Sequence, residues 1–354
     1  MKAKSLKFTV AFILALIASC DEPETVVTDI VYPDGSVMRK IEMKNMANKF
    51  EISRVQVPFD STWSIRDSLE INGKDTIWVK RAEKLFRNTD EINNEYITDS
   101  SYNRNVKRRA GFTHTFRWFN TEYRFSERVE KKLEAGYPVS DFLNQEEMAW
   151  FYSPESINEE KKNGPDSTRY RAFDDTIRTK TDLWATKSLV SEWIYVFSEF
   201  AKGKTGDEMS FESLKKRESE FMEIIKKADD GKFDSLWKNG ILLKKFIGES
   251  NALKYKTEAD TALAIVTNRF FVNFSDYTQR IVMPGILTGT NGVIDSAGVL
   301  TWPVQSDYFM SEDYTMWAES RTPNRWAWIV TGIFLLFVLA GIIFRALRKK
   351  NRSA

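Results

Sequence analysis

The chain has 354 residues and a formal charge of +2, with 52 Lys and Arg against 50 Asp and Glu. Eight of the basic residues stand at positions 2, 4, 7, 345, 348, 349, 350 and 352, so residues 8–344 hold 44 basic and 50 acidic groups, a formal charge of −6. That balance excludes a nucleic-acid footprint, a single cysteine excludes a disulfide framework, and an aromatic share of 14% argues for a folded domain over a disordered stalk.

In chain order, the first segment reads "MKAKSLKFTVAFILALIASC". Lys2, Lys4 and Lys7 form a basic start, and Phe8 to Ala18 is an apolar run shorter than the about 20 residues of a membrane span. Residues 1–19 therefore read as a signal peptide. The junction Ile17-Ala18-Ser19-Cys20 resembles the lipobox of bacterial lipoproteins. That resemblance implies a diacylglyceryl group on the Cys20 thiol, which becomes the first residue of the mature chain. The alternatives are a buried free thiol or an uncleaved N-terminal anchor. Asp21 resembles the inner-membrane retention signal of some Gram-negative lipoproteins.

Residues 20–136 read as β-rich. "TVVTDIVYPDGSVMRKIEMK" alternates around Pro33-Asp34-Gly35-Ser36, with Val27, Ile30 or Val31, Val37, Ile41 and Met43 as apolar contacts. Asn72-Gly73 marks a second hairpin, and a short helical crossover is expected near Ala82 to Ile92. In "NVKRRAGFTHTFRWFNTEYRFSERV", Ala110, Phe112, His114, Phe116 and Trp118 share one face. His114, the only histidine, reads as an inward sheet residue. Zinc sites, Ser-His-Asp triads and Cys-His pairs are short of parts. Lys107, Arg108 and Arg109 read as a solvated strand edge or a patch facing anionic headgroups.

Residues 137–255 change period and read as a helical block, interrupted by a polar loop between Asn158 and Arg169. Leu183, Lys187, Val190, Ile194, Phe197 and Ala201 run at 4-3-4-3-4 spacing, beside a stripe of Leu189, Trp193, Val196 and Phe200. That helix is expected to be buried on much of its circumference. Gly203 and Gly206 are expected to end it, and Gly231 the next. Strand character returns over residues 256–325, with turns at Asn291-Gly292 and Ser296-Ala297-Gly298.

"WAWIVTGIFLLFVLAGIIF", Trp326 to Phe344, is uncharged and long enough to cross a bilayer, with Trp326 and Trp328 at its start. Arg345, Arg348, Lys349, Lys350 and Arg352 follow without an acid, so residues 345–354 read as a cytoplasmic tail. Residues 21–325 would then form an extracytoplasmic domain, held at the inner membrane from both ends. The expected fold is α+β: an antiparallel sheet drawn from the N- and C-terminal thirds, a central helical block covering a face, and one C-terminal transmembrane helix.

"PDGS" in the opening hairpin, and "MPG", "TNG" and "GVLTW" running through "AESRTPN" into a membrane helix, resemble membrane-anchored β-rich lipoproteins of the LppM type. The resemblance covers roughly residues 27–60 and 280–345. It implies a curved sheet gripping a helix and a role in lipid handling, and it transfers no catalytic residue.

Adjacent acids at Glu146-Glu147, Glu159-Glu160, Asp174-Asp175 and Asp229-Asp230 read as helix starts, solvated faces or helix ends, not as a glycosidase pair. Asp175 and Asp234 read as helix caps. Neither a P-loop nor a G-x-G-x-x-G occurs, and no cofactor or metal is expected. Asp followed by Ser or Thr and then an apolar residue or Thr recurs beyond what composition gives. It resembles an O-glycosylation sequon of exported Gram-negative proteins and would place sugars on Ser61, Ser68, Thr76, Ser167, Thr176, Ser235, Thr261 and Ser296. The functional expectation is a non-enzymatic, membrane-tethered lipoprotein. It would bind a lipid or other apolar ligand in a cavity lined by Trp63, Trp78, Trp118, Trp184, Trp193 and Trp302, unless these fill a core. The alternative is a structural or interaction module of an envelope protein complex.

Overall fold

Alternation decides the first two strands. In β1 (Glu24–Val31) the side chains of Thr25, Val27, Asp29 and Val31 are buried, and in β2 (Val37–Asn45) those of Val37, Arg39, Ile41 and Met43. Of the two candidates Ile30 and Val31, it is Val31 that faces the core. The turn between the strands needs Gly35 at φ +88°, and the Asp34 carboxylate accepts from the Ser36 amide at 3.0 Å.

The computed structural model describes residues 23–52, 55–72, 75–99, 106–202, 207–227, 233–270, 275–295 and 298–350. Next come β3 (Ser64–Asn72) and β4 (Asp75–Phe86), paired from Asn72 opposite Asp75 onward, with Gly73 of the expected turn outside the described residues. Ala82 to Phe86 belongs to β4; the expected crossover helix starts later, as α1 (Thr89–Thr98), where Asn88 caps the amides of Asp90 and Glu91. The hairpin β5 (Arg108–Phe116) and β6 (Asn120–Val129) follows.

The helices are α2 (Gln145–Phe151), α3 (Glu155–Lys162), α4 (Ser167–Ala201), α5 (Phe211–Lys215), α6 (Glu218–Lys227), α7 (Phe233–Lys238), α8 (Ile241–Ile247), α9 (Glu249–Lys254) and α10 (Lys256–Phe270). Two expectations change here. The polar stretch at 158–169 is mostly helix, because its charges sit on the exposed side of α3. The helical block also runs past residue 255: α10 continues to Phe270, burying Ala259, Ala262 and Val266 against the other helices.

The 35-residue α4 is the spine, about 52 Å long at 1.5 Å per residue. Its second half is buried nearly all round, with Val190, Trp193, Ile194, Val196 and Phe197 in one aromatic core beside Phe221, Trp237 and Phe246. Leu183 and Phe200, at the ends of the two predicted stripes, are exposed. The helix ends at Ala201; Gly203, Gly206 and Gly231 lie outside the described residues.

The chain then returns to strands as β7 (Tyr277–Val282), β8 (Ile286–Thr290), β9 (Val293–Ile294), β10 (Leu300–Val304) and β11 (Tyr314–Pro323), and ends in α11 (Arg325–Lys350). The N- and C-terminal thirds do combine, but into two sheets instead of one. The first has the order β3-β4-β2-β1-β7-β10-β9 and the second β5-β6-β11-β8. The first is mixed, because β1 and β7 run parallel, Val26 opposite Thr278. The sheets share one core, in which Val27, Ile41 and Phe86 from the first meet Phe125, Val129 and Met316 from the second. A smaller core of Leu133, Trp150, Ile177, Trp184 and Met310 joins this sandwich to α4. There the Ala135 amide donates to buried Glu192 at 2.8 Å and the Tyr137 amide to Ser188 at 3.1 Å.

Candidate functional site

Two arrangements stand out from ordinary packing. The first is where the second sheet meets α11. Only Asn324 separates β11 from α11, and Asn324 is fully used. Its amide donates to the Phe119 carbonyl at 2.9 Å, and its Nδ2 donates to the carbonyls of Arg117 at 2.7 Å and Trp118 at 3.4 Å. The Arg117 amide closes the β5–β6 turn onto the Asn120 carbonyl at 2.8 Å. The turn is thereby fastened to the start of the helix.

Its side chains continue along the helix. Trp118 Nε1 donates to the Thr331 hydroxyl at 2.9 Å. Phe116 stacks on Trp326 with centroids 6.2 Å apart, Trp118 meets Trp326 edge-on at 5.4 Å, and Phe119 meets Trp328 at 4.4 Å. These five rings form a collar around the first turns of α11, yet each remains more than a third exposed. Residues Arg325–Arg345 are long and apolar enough to cross a membrane, with a mean hydropathy of 2.6 and almost no burial.

The second arrangement is hidden inside the sandwich. Arg39 forms a two-pronged pair with Asp29 (2.7 and 2.8 Å) and donates to Glu127 at 2.6 Å and to the Tyr96 hydroxyl. Tyr96 donates to Glu127 at 2.8 Å, and Gln279 Nε2 donates to Asp29 at 2.9 Å. Arg108 donates to Tyr277 at 2.6 Å and to Gln56. Two guanidinium groups thus balance two carboxylates drawn from β1, β2, β5 and β6. Burial pushes the Asp29 carboxyl above its ordinary value, against the pull of Arg39. Burial also acts upward on Glu127, but Arg39, Arg108 and the Tyr96 hydroxyl together hold it below. With Asp29, Arg39 and Glu127 essentially inaccessible, the network acts on the fold and not on a ligand in solution.

A buried ammonium marks the join with the helical block. Among the described residues Lys132 Nζ is buried without a hydrogen-bond partner, 5.6 Å from the Phe270 ring and 5.4 Å from Phe309. Burial lowers its pKa to about 8, partly offset by Asp307 and Asp276.

The residues singled out in the sequence scatter over the molecule. Cys20 lies outside the described residues. His114 is exposed on β5, a correction to its reading as an inward residue; of its face Ala110 is buried and Phe112 packs partly against the core. Phe116 and Trp118, of the same face, belong to the collar. Of the basic run, Lys107 and Arg109 are exposed but Arg108 is buried in the charge network, a correction to the solvated-edge reading. Glu147 completes a capping box with Asn144 and pairs with Lys180 at 2.6 Å; Asp174 accepts from Trp150 at 2.9 Å. Glu159 and Glu160 are part of α3, and Asp229 and Asp230 lie outside the described residues. Asp175 sits inside α4 and not at a cap, and Asp234 lies in the first turn of α7.

Among the sequon hydroxyls, Ser61, Ser68, Thr76, Thr176, Ser235 and Thr261 are on exposed residues, Ser167 is half-buried and Ser296 lies outside the described residues. Thr176 and Thr261 return their hydroxyls to their own helices at 2.8 Å, whereas Ser61 sits in a turn held by Asp60 and Thr62. Trp63, Trp184, Trp193 and Trp302 are buried and Trp78 half-buried, while Trp118 is in the collar. An open depression of about 560 Å³ lies elsewhere, beside Trp237, Lys256 and Asp260. Among the described residues no cluster of three or more His, Cys, Asp or Glu is placed to hold a metal.

The collar and the charge network are the two features that sequence reasoning missed. Each left a signal. Asp29, Arg39, Glu127 and Gln279 fall in phase with buried apolar neighbours, and the aromatics of the β5–β6 turn match those opening the apolar helix. No protein-family model, curated protein or solved structure matches this chain.

Proposed function

We propose that this chain is a membrane-tethered lipoprotein whose β-sandwich and helical block stand on the extracytoplasmic face of the inner membrane as a non-enzymatic structural or interaction module. The observation that carries this reading is the junction at Asn324. A domain on a flexible stalk would need a linker, whereas here one hydrogen-bonded residue joins β11 to the apolar helix. Such a joint fixes the height and orientation of the domain above the bilayer, which suits a component of an envelope assembly. Cys20 would add a second, acyl anchor, and the basic tail would keep the far end of α11 in the cytoplasm. An apolar ligand is less well supported, because Trp63, Trp184, Trp193 and Trp302 are packed against other core side chains.

Alkaline extraction of membranes tests the tether. The full chain and its Cys20→Ala variant should both stay in the pellet, and only the variant should lose incorporated lipid label. Release of the variant would sink the reading of α11 as a span. Crosslinking in intact membranes then tests the module, with a discrete partner expected. A detergent-solubilised protein that instead carries a lipid-sized mass, lost on denaturation, would restore the ligand reading. The same spectra report the sequons, as added hexose mass on the wild type that falls when Ser61 is replaced by Ala.

A further inference from the structure

We infer that the tip of the β5–β6 hairpin, Phe116 to Phe119, is a wedge that enters the outer leaflet beside α11, so that the domain is seated in the bilayer as well as tethered to it. This rests on the reading of α11 as a membrane span. The positions follow from helix geometry. Thr331 lies six residues beyond Arg325, about 9 Å along the helix at 1.5 Å per residue. The Trp118 indole donates to Thr331, so it lies at that depth. Headgroups and their interface occupy roughly 5–8 Å on each side of the hydrocarbon. A hairpin tip fastened alongside these first turns cannot remain in bulk water while the helix is in lipid.

The chemistry of the tip fits that location. Phe116, Trp118 and Phe119 are 55%, 47% and 37% exposed, an apolar surface continuous with Trp326 and Trp328 on the helix. Indole rings favour the membrane interface, where the apolar body and the N–H are both accommodated. Arg325 at the helix start is exposed and suits phosphate headgroups, as does exposed Arg117 at the turn, whose own contact with Glu122 is a long 3.4 Å. Backbone polarity is the usual obstacle to insertion of a turn. Here the carbonyls of Arg117, Trp118 and Phe119 accept from Asn324, and the Arg117 amide is bonded to Asn120. The occupant of the collar is therefore the phospholipid interface, with which the apolar helix is already continuous.

Because Cys20 is the sole cysteine, a Cys20→Ser background accepts single reporters. An environment-sensitive fluorophore would be placed at Phe119→Cys and, to spare the ring contact with Trp328, separately at Arg117→Cys. Leu336→Cys reports the span and Leu69→Cys, on the exposed edge strand β3, reports water. The full chain would be reconstituted into vesicles of phosphatidylethanolamine and phosphatidylglycerol. Labels at 117 and 119 should emit at shorter wavelength than that at 69 and lose intensity to lipid-borne quenchers, as that at 336 does. Water-like emission at both tip positions with a quenched label at 336 would overturn the wedge and leave the span intact. Shielded emission that ignores the lipid quencher would overturn it in favour of a protein partner. Water-like emission at 336 as well would remove the span and the wedge together.

Discussion

The two interiors of this protein are built on opposite chemistry. The helical block is filled with rings: Trp193 stacks on Phe197 at 5.1 Å and meets Trp237 edge-on at 5.5 Å, with Phe221 and Phe246 packed beside them. The sandwich encloses Asp29, Arg39, Arg108 and Glu127, with the polar groups that bond them, inside a core of apolar side chains. Apolar packing rewards area and tolerates rearrangement, while a buried ion pair is satisfied only in one geometry. We therefore read the network as a device for register. A one-residue slip of β2 on β1 would turn Arg39 to solvent and strand Asp29 and Glu127 in the core.

Breaking each interior once should hurt both. Glu127→Ala should cost about 3–5 kcal/mol in denaturant unfolding, because Arg39 and Arg108 remain buried without it. Trp193→Ala should cost a similar ~3–5 kcal/mol by opening a cavity. A second substitution sharpens the difference. Arg39→Met added to Glu127→Ala should show a coupling on the order of 2–3 kcal/mol. Phe197→Ala added to Trp193→Ala should show only about 0.5–1.5 kcal/mol. Equal couplings would mean that the network is no more specific than the rings.

A smaller effect is expected at Lys132, where the two interiors meet. Its folded-state pKa near 8 lies below the ordinary 10.5, so between those values the unfolded chain binds the extra proton. Stability should accordingly rise with pH across that window, by on the order of 2 kcal/mol. Unfolding midpoints measured from pH 8 to 10 should climb in the wild type and stay flatter in Lys132→Met. A falling wild-type curve would contradict the burial of the ammonium. Least is expected from Asn144→Ala, which removes one side of the capping box on α2, about 1 kcal/mol by thermal unfolding.

Local pattern made much of this legible. The hairpins of β1–β2 and β3–β4, the long α4 and the apolar α11 each follow from periodicity or turn residues. What periodicity cannot supply is the extent of the opposing surface. Phe112, His114, Phe116 and Trp118 do share a face, but only Ala110 and Phe112 on it reach the shared core, Phe112 beside the Gly35 turn, while His114 is exposed and Phe116 and Trp118 meet α11. For the same reason one expected sheet became two: alternation names the faces of strands and leaves their neighbours open. The charge network was readable in principle. Asp29 keeps step with Val27 and Val31, Arg39 with Val37 and Ile41, and Glu127 with Phe125 and Val129. A charge in phase with core positions on several strands at once announces partners, provided the strands are compared and not read singly.

The parallel pairing of β1 with β7 also bears on how the molecule comes into being. Asp29 and Gln279, which touch through this pairing, are 250 residues apart in the chain. Contacts so distant close slowly, since the intervening loop must lose its freedom before they form. The helical block, made entirely of residues between β6 and β7, has its own core and should condense first. Both sheets wait for β7 to β11, the last strands before α11. As the chain is made from its N-terminus, we expect the sandwich to stay open until residues 277–323 arrive. Pulse-labelled hydrogen exchange should then protect the α4 amides ahead of those in β1 and β6. On the proposed reading of α11 as a membrane span, the domain would finish folding only once its own anchor had been made, which ties completion of the fold to delivery at the site of use.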